Sequence, residues 1–257
     1  MRPLASLMLT TCLALCPIAT ASAEPDIALR VEGYLGYANL DLGFVDLDAF
    51  EGGGTGSVSA VFGHVYLQGD VFGDVMDFEQ GIDVENVGPG VHVGWRDRDS
   101  GSAGLVGTYN HLDLGGGSFD IFRAGFEGET YFDQLTLGLN AGFQDFDGDA
   151  NAYVEILIAF YPVENTRLNF RIGSIGLDND SPLMSLGLGG EFLVNETLAP
   201  FVRWEASLPD DFEDVIQHSF VAGLILYWGA ETPTLQGYNR GHFKPSCSGV
   251  QLVGRIC

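Results

Sequence analysis

Polar and apolar residues alternate one for one along most of this chain, and that period of two constrains the fold more than any other feature. Around RAGFEGETYF, Arg123, Gly125, Glu127 and Glu129 fall on one parity, while Phe122, Ala124, Phe126, Gly128, Thr130 and Phe132 fall on the other. Successive side chains of a β-strand point to opposite faces, so the segment has one small or charged face and one mostly apolar face. The split recurs where Thr136, Gly138, Asn140 and Gly142 oppose Leu135, Leu137, Leu139 and Phe143. It recurs again where Arg167, Asn169 and Arg171 oppose Leu168, Phe170 and Ile172.

Gly, Pro, Asn and Asp clusters mark the turns. They predict strands near 27–41, 54–62, 64–73, 84–96, 102–111, 119–132, 134–145, 151–161, 166–176, 182–193, 197–207 and 216–229. The second and third depend on reading a hairpin at Phe62-Gly63-His64. With it, short connections (FGH, DRDSG, DQ, VENT, NET) alternate with longer, acidic ones such as DVMDFEQGIDVE and LPDDFEDVIQ. Short turns at one end, longer loops at the other and an even strand number are the signature of an outer-membrane barrel. The expected fold is all-β: a transmembrane antiparallel up-and-down β-barrel of about 12 strands, with 10 as the alternative count.

A soluble sandwich also alternates, but its outer face is usually rich in Lys, Glu and Thr. Here the polar parity carries mostly Gly, Asn, Gln, Arg and Glu. The apolar parity places Trp95, Phe132, Phe160 and Trp228 beside short turns or at the end of the last strand, where an aromatic girdle would lie.

The first residues follow the pattern of a secretory signal peptide: Arg2, an apolar run, then Ala21-Ser22-Ala23 before Glu24. Residues 1–23 are therefore expected to be a cleaved leader, 24–229 the barrel and 230–257 a basic periplasmic tail. Cys16 fits a lipoprotein acylation site poorly, because Leu15 is bulky and Pro17 follows. The formal charge is −24 and Lys244 is the single lysine. Such a surface repels nucleic acid and anionic membranes. Cys247 and Cys257, ten apart in an oxidising compartment, are expected to form a disulfide.

Residues of the polar parity would line the lumen. Arg30, Arg96, Arg123, Arg167, Arg171 and Arg203 face Glu32, Asp70, Glu127, Glu129, Glu155, Glu191 and Glu205, six cations against seven anions. Two interpretations stay open: paired charges holding a narrow interior closed, or charged ladders that orient a small polar solute in a channel. The lumen glycines, Gly94, Gly104, Gly125 and Gly142 among them, fit either open space or room for large neighbours. The tail holds Arg240, Lys244 and Arg255 and no acid after Glu231, so it could dock at the acidic mouth or enter the lumen as a plug.

No catalytic set emerges. His111, Ser118 and Asp120 flank a loop. His218 and Ser219 are adjacent in one strand and so point to opposite faces. His64 and His92 share the polar parity, with His92 opposite Gln68 and near Asp70, and are expected to be hydrogen-bonded lumen histidines. The glycine runs at 52–54 and 115–117 are expected in loops and lack the following helix of a phosphate cradle. The series Asp145, Asp147, Asp149 resembles a calcium loop. Its sixth and twelfth positions are Ala150 and Ile156 in place of glycine and glutamate, so a tight turn is the better reading and a weak metal site the lesser one. No cofactor is implied.

GHVYLQGD, VHVGWRDRDSGSAGLVGTY and GFEGETYF resemble the repeating hairpins of the porin-like outer-membrane β-barrels of Gram-negative bacteria, over roughly residues 27–229. The expected function is a narrow channel for passive diffusion of small polar solutes through the Arg/Glu-lined lumen, with no enzyme activity, in contact with outer-membrane lipid, lipopolysaccharide and the barrel assembly machinery. A second implied role is a non-conducting surface barrel whose acidic loops bind divalent cations or lipopolysaccharide. Such barrels commonly end at an aromatic, whereas a 28-residue tail follows the Tyr227-Trp228 region here, so an internal recognition strand is expected. Periodicity gives no oligomeric state.

Overall fold

The structure, a computed structural model, describes residues 24–41, 46–79, 81–146, 148–177, 182–208, 217–230 and 233–245. The expected leader, the Cys247–Cys257 disulfide, Arg255 and Asp147 lie outside the described residues.

Twelve strands form the wall. They are β1 (Asp26–Asp41), β2 (Asp46–Phe62), β3 (Val65–Phe78), β4 (Ile82–Asp97), β5 (Gly101–Asp113) and β6 (Ser118–Phe132), then β7 (Leu135–Phe146), β8 (Asp149–Val163), β9 (Thr166–Ile175), β10 (Leu183–Phe192), β11 (Leu198–Leu208) and β12 (Gln217–Trp228). Each pairs antiparallel with its sequence neighbours. The sheet closes where β1 meets β12, in register from Leu29↔Trp228 to Leu40↔Gln217. Closure leaves no free edge, so every strand satisfies its backbone within the sheet, as a lipid surround requires.

The alternation places apolar side chains outside and polar ones inside. Phe126, Phe143, Val71, Leu35 and Val202 project outward and are exposed, whereas Glu32, Gln68, Asp70, His92, Arg96 and Glu127 point inward and are buried. This inverts a soluble core and suits a wall immersed in hydrocarbon.

Short connections gather at one mouth. Phe62 pairs with Val65 across Gly63-His64, the expected hairpin, with Gly63 at φ +61. Phe132 pairs with Leu135, and Asp133 there adopts φ +37. Asp97 Oδ1 accepts from the backbone N–H groups of Asp99 and Ser100. Asn195 Oδ1 does the same for Thr197 and Leu198. Asx-type bonding of this kind closes a turn locally.

Two boundaries differ most from the sequence expectation. Strand β2 begins at Asp46, not 54, and absorbs Gly52–Gly54, which were expected in a loop. Glycines resemble turn residues in sequence, but Gly53 is paired on both sides, with Tyr34 and with Asp74, and the ladder holds it extended. The acidic connection after residue 73 is also mostly strand, since β3 runs to Phe78 and pairs with Ile82 at the start of β4. Beyond the wall, one short helix, α1 (Leu235–Gly241), follows β12, its N-terminus capped by Thr234 Oγ1 accepting from Gly237 N at 3.0 Å.

Candidate functional site

All thirteen sequence-predicted lumen residues lie on the inner face, buried or nearly so. Four arginines share the contiguous wall of β9 to β12 and β1: Arg167 and Arg171 on β9, Arg203 on β11 and Arg30 on β1. They are interleaved with acids. Arg30 meets Glu32 at 2.5 Å, Arg203 meets Glu205 at 3.3 Å and Glu32 at 3.5 Å, and Arg167 approaches Glu191 at 3.7 Å. Tyr227 also donates to Glu191 at 2.6 Å.

The opposite wall, β2 to β8, is richer in acid. It carries Asp70, Glu127, Glu129 and Glu155, with Arg96 and Arg123 as its arginines. Glu51 and Asp74 add to it; both are buried and were missed because their segments were expected to be loop. Asp74 accepts from Tyr34 Oη and from Asn86 Nδ2. His92 sits opposite Gln68, as expected, with Nδ1 at 2.8 Å from Glu127 and Nε2 at 3.0 Å from Asp70. Tyr66 Oη donates to Glu127, and the Arg96 guanidinium lies 4.5 Å from the Tyr66 ring centroid. Arg123 Nε donates to Gln144 at 2.5 Å. Charges this buried are tolerable only when paired or bonded, which accounts for the density of these contacts.

The lumen glycines make room for tyrosines. Gly94 and Gly104 are cross-strand partners, and a Cβ on Gly104 would stand 2.3 Å from Tyr66 Oη, one on Gly94 2.9 Å from Tyr66 Cε1. A Cβ on Gly125 would stand 2.4 Å from Tyr153 Oη. Of the two sequence interpretations, large neighbours describe these positions and open space does not.

Past β12 the chain folds back across the short-turn mouth. Gln236 N donates to Glu164 O at 2.9 Å, and Gln236 Nε2 to Asp133 O at 2.6 Å. Tyr238 Oη donates to Glu196 O at 3.0 Å. Helix α1 thus touches three different turns. Its apolar side, Leu235 and Tyr238, joins Phe243 on an inner-face cluster of Ala28, Tyr34, Phe201, Val221, Ile225 and Tyr227. The Tyr227 and Tyr238 rings stack with centroids 4.5 Å apart. Beyond the helix, the chain enters the lumen. Ser59 Oγ donates to His242 O at 2.8 Å, and Lys244 N donates to Gln68 Oε1 at 2.7 Å. Lys244 Nζ reaches Glu129 Oε2 at 2.7 Å and also donates to Ser102 Oγ. The described part of the tail, 233–245, therefore lies against this mouth and reaches the inner face of the wall.

At α1 the Arg240 guanidinium lies between two rings, 5.0 Å from Tyr131 and 5.6 Å from Tyr161. Its Nη2 donates to Leu135 O at 2.9 Å and its Nε to Thr136 Oγ1 at 3.2 Å. Both tail cations rest on the acid-rich wall. Beside Lys244, a cavity of about 20 Å³ lined by Glu127, Glu129, Asn140 and Glu155 has room for about one water. Burial and the neighbouring Arg98 and Arg96 push the His242 imidazole down to about 4, against the opposing pull of Asp26 at 3.3 Å.

Other sequence candidates fall outside this arrangement. His64 is not in the lumen: it occupies the turn before β3 and stacks outside on Trp95, centroids 6.0 Å apart. The turn breaks the strand's parity there. His111 bonds the exposed Asp120 at 2.9 Å, and His218 and Ser219 occupy opposite faces. Asp145 lies next to the end of β7 and Asp149 begins β8; Phe146 pairs with Asp149, Gly148 between them adopts φ +97, and Asp145 Oδ1 accepts from Gly148 N at 3.1 Å. Among the described residues, no group of three or more His, Cys, Asp or Glu side chains is arranged to hold a metal ion. Trp95, Phe132, Phe160 and Trp228 face outward beside the short-turn mouth.

No family model and no curated protein matches the chain. Among solved structures, the chain is similar to the translocator domain of the autotransporter NalP from Neisseria meningitidis, with a TM-score of 0.54 at 10% identity over 80% of this chain and 89% of that one. It is similar to the KdgM porin, solved alone and in complex with disordered oligogalacturonate, with a TM-score of 0.50 at 10% identity over 76% of this chain and 98% of that one. At such identities the likeness is one of fold, and in fold this chain is a porin-like, twelve-stranded β-barrel of the outer-membrane kind.

Proposed function

We propose that this protein is an outer-membrane channel for passive diffusion of small polar solutes, with the short-turn mouth facing the periplasm and the lumen arginines and carboxylates setting selectivity. The observation that carries the reading is the origin of the charge at that mouth. The β2–β8 wall has more carboxylates than cations, and part of the compensation, Lys244 and Arg240, comes from a segment that is no part of the wall. A barrel built only as a closed support could balance its interior with its own strands. A wall completed by a separable segment leaves a polar, acid-lined path when that segment withdraws. The fold likeness to a porin supports the same reading.

The test is planar-bilayer conductance of the refolded chain against a chain ending at residue 230. Larger or more frequent cation-selective steps from the shortened chain are the expected result. A folded barrel silent in both forms would overturn the channel and favour the non-conducting surface barrel, for which the exposed acids Asp113, Asp120 and Asp149 and the half-buried Asp145 are the natural cation ligands.

A further inference from the structure

The two tail cations occupy seats assembled almost wholly from wall residues. The deeper seat holds an ammonium: Glu129 supplies the carboxylate at 2.7 Å, Ser102 a hydroxyl, and the Tyr66 ring a π-face 5.7 Å from Nζ. The outer seat holds a guanidinium between Tyr131 and Tyr161, with Leu135 O at 2.9 Å and Thr136 Oγ1 at 3.2 Å as its acceptors. Carboxylate, hydroxyl and aromatic face are the groups that recognise alkylammonium ions, and an aromatic pair with in-plane acceptors is what recognises a planar guanidinium.

We propose that these seats are the lumen's recognition sites for organic cations bearing a primary ammonium or guanidinium group, and that the tail fills them in cis as a built-in competitor. The proposal rests on the channel reading for its physiological role but not for the existence of the sites. Three observations point the same way. The residue in the ammonium seat is the sole lysine of a chain with formal charge −24. The tail is free of acid after Glu231, so none of its side chains repels the wall carboxylates. The Gln68 amide bonds both N and O of Lys244, at 2.7 and 3.3 Å, so the backbone of the competitor is held in place as well as its side chain. A soluble cation that matches both seats competes with both tail cations at once, which favours solutes that carry two such groups.

Agmatine, with an ammonium at one end and a guanidinium at the other, is the probe; glutarate is the anionic control. Calorimetric titration of the full chain in detergent compares the wild type with Arg240→Ala/Lys244→Ala. The double variant is expected to bind agmatine at least tenfold more tightly than the wild type, and not to bind glutarate. Adding Glu129→Gln to the double variant should remove that gain. Should that triple variant fail to fold, judged by heat-modifiable gel mobility, Ser102→Ala with Tyr131→Leu serves instead. No agmatine binding by the double variant, or binding indifferent to both sets of seat substitutions, overturns the proposal. Bilayer recordings separate the two ideas. Binding without conductance refutes the channel and leaves the sites standing, whereas conductance without binding or block by agmatine refutes the sites and leaves the channel.

Discussion

Lys244 Nζ and Glu129 Oε2 lie 2.7 Å apart inside the barrel, across 115 residues of chain. Removing one member of a buried ion pair leaves the other uncompensated, a cost of about 3–5 kcal/mol when the site cannot rearrange. Here the partner lies on the tail, outside the closed wall, so undocking of the tail would relieve that cost. Glu129→Gln is therefore expected to loosen the tail without unfolding the wall, and to raise the rate of tryptic cleavage after Arg240. Equal cleavage rates in the variant and the wild type would argue that the pair does not hold the tail.

Acid should loosen the tail as well. His242 titrates near 4 when docked, against an ordinary value of 6.5, so the docked state binds fewer protons between these limits. Docking is then strongest above about pH 6.5 and weakens as pH falls toward 4. Asp26 faces the ring and partly opposes the effect; Arg98 and Arg96 reinforce it. Open probability in bilayers should rise from pH 7 to pH 5, and His242→Gln should flatten that rise. A variant that keeps the full pH dependence would assign it to other groups.

Gly104→Ala should damage the wall itself. The new methyl would meet Tyr66 Oη at 2.3 Å and Val93 O at 2.6 Å, the latter a backbone atom that cannot swing aside. Overpacking of this kind typically costs about 1–3 kcal/mol. Urea unfolding from lipid vesicles should show the loss. Tyr66→Phe should relieve only the hydroxyl contact, so the pair of substitutions should recover a part of the stability and not the whole.

The outer face offers an independent check on the lipid environment. Phe126 is 72% exposed on the outward face of β6, between Leu105 and Ala141. Phe126→Arg should destabilise the barrel in a bilayer by up to about 2–4 kcal/mol, depending on depth. The same substitution should be nearly neutral on a surface that faces water, so refolding titrations in vesicles distinguish the two.

Which face each strand residue occupies was legible in the sequence, because a period of two leaves only two answers. Arg123, Glu127 and Glu129 share the lumen for the same reason that Phe122 and Phe126 share the outside. Strand ends were not legible where their residues double as turn formers: Gly52–Gly54 and Asp74 carry loop-like composition yet are held by ladder partners distant in sequence. The tail's affinity for the interior was half visible, as charge complementarity. The seat of Lys244 was not, since it combines Gln68, Ser102 and Glu129 from three strands, and alternation within one strand says nothing about which strands converge on a point. The role of Gly94, Gly104 and Gly125 likewise depended on two tyrosines whose reach no local pattern records.

The apolar bed under α1 draws Ala28 and Tyr34 from the first strand and Val221, Ile225 and Tyr227 from the last. These five come together only when β1 has zipped onto β12. The tail therefore lacks this bed until the ring is complete. Its seating records finished assembly: a barrel still open at the seam leaves its C-terminal segment loose, and so distinguishable from the closed form by any agent that acts on unprotected chain.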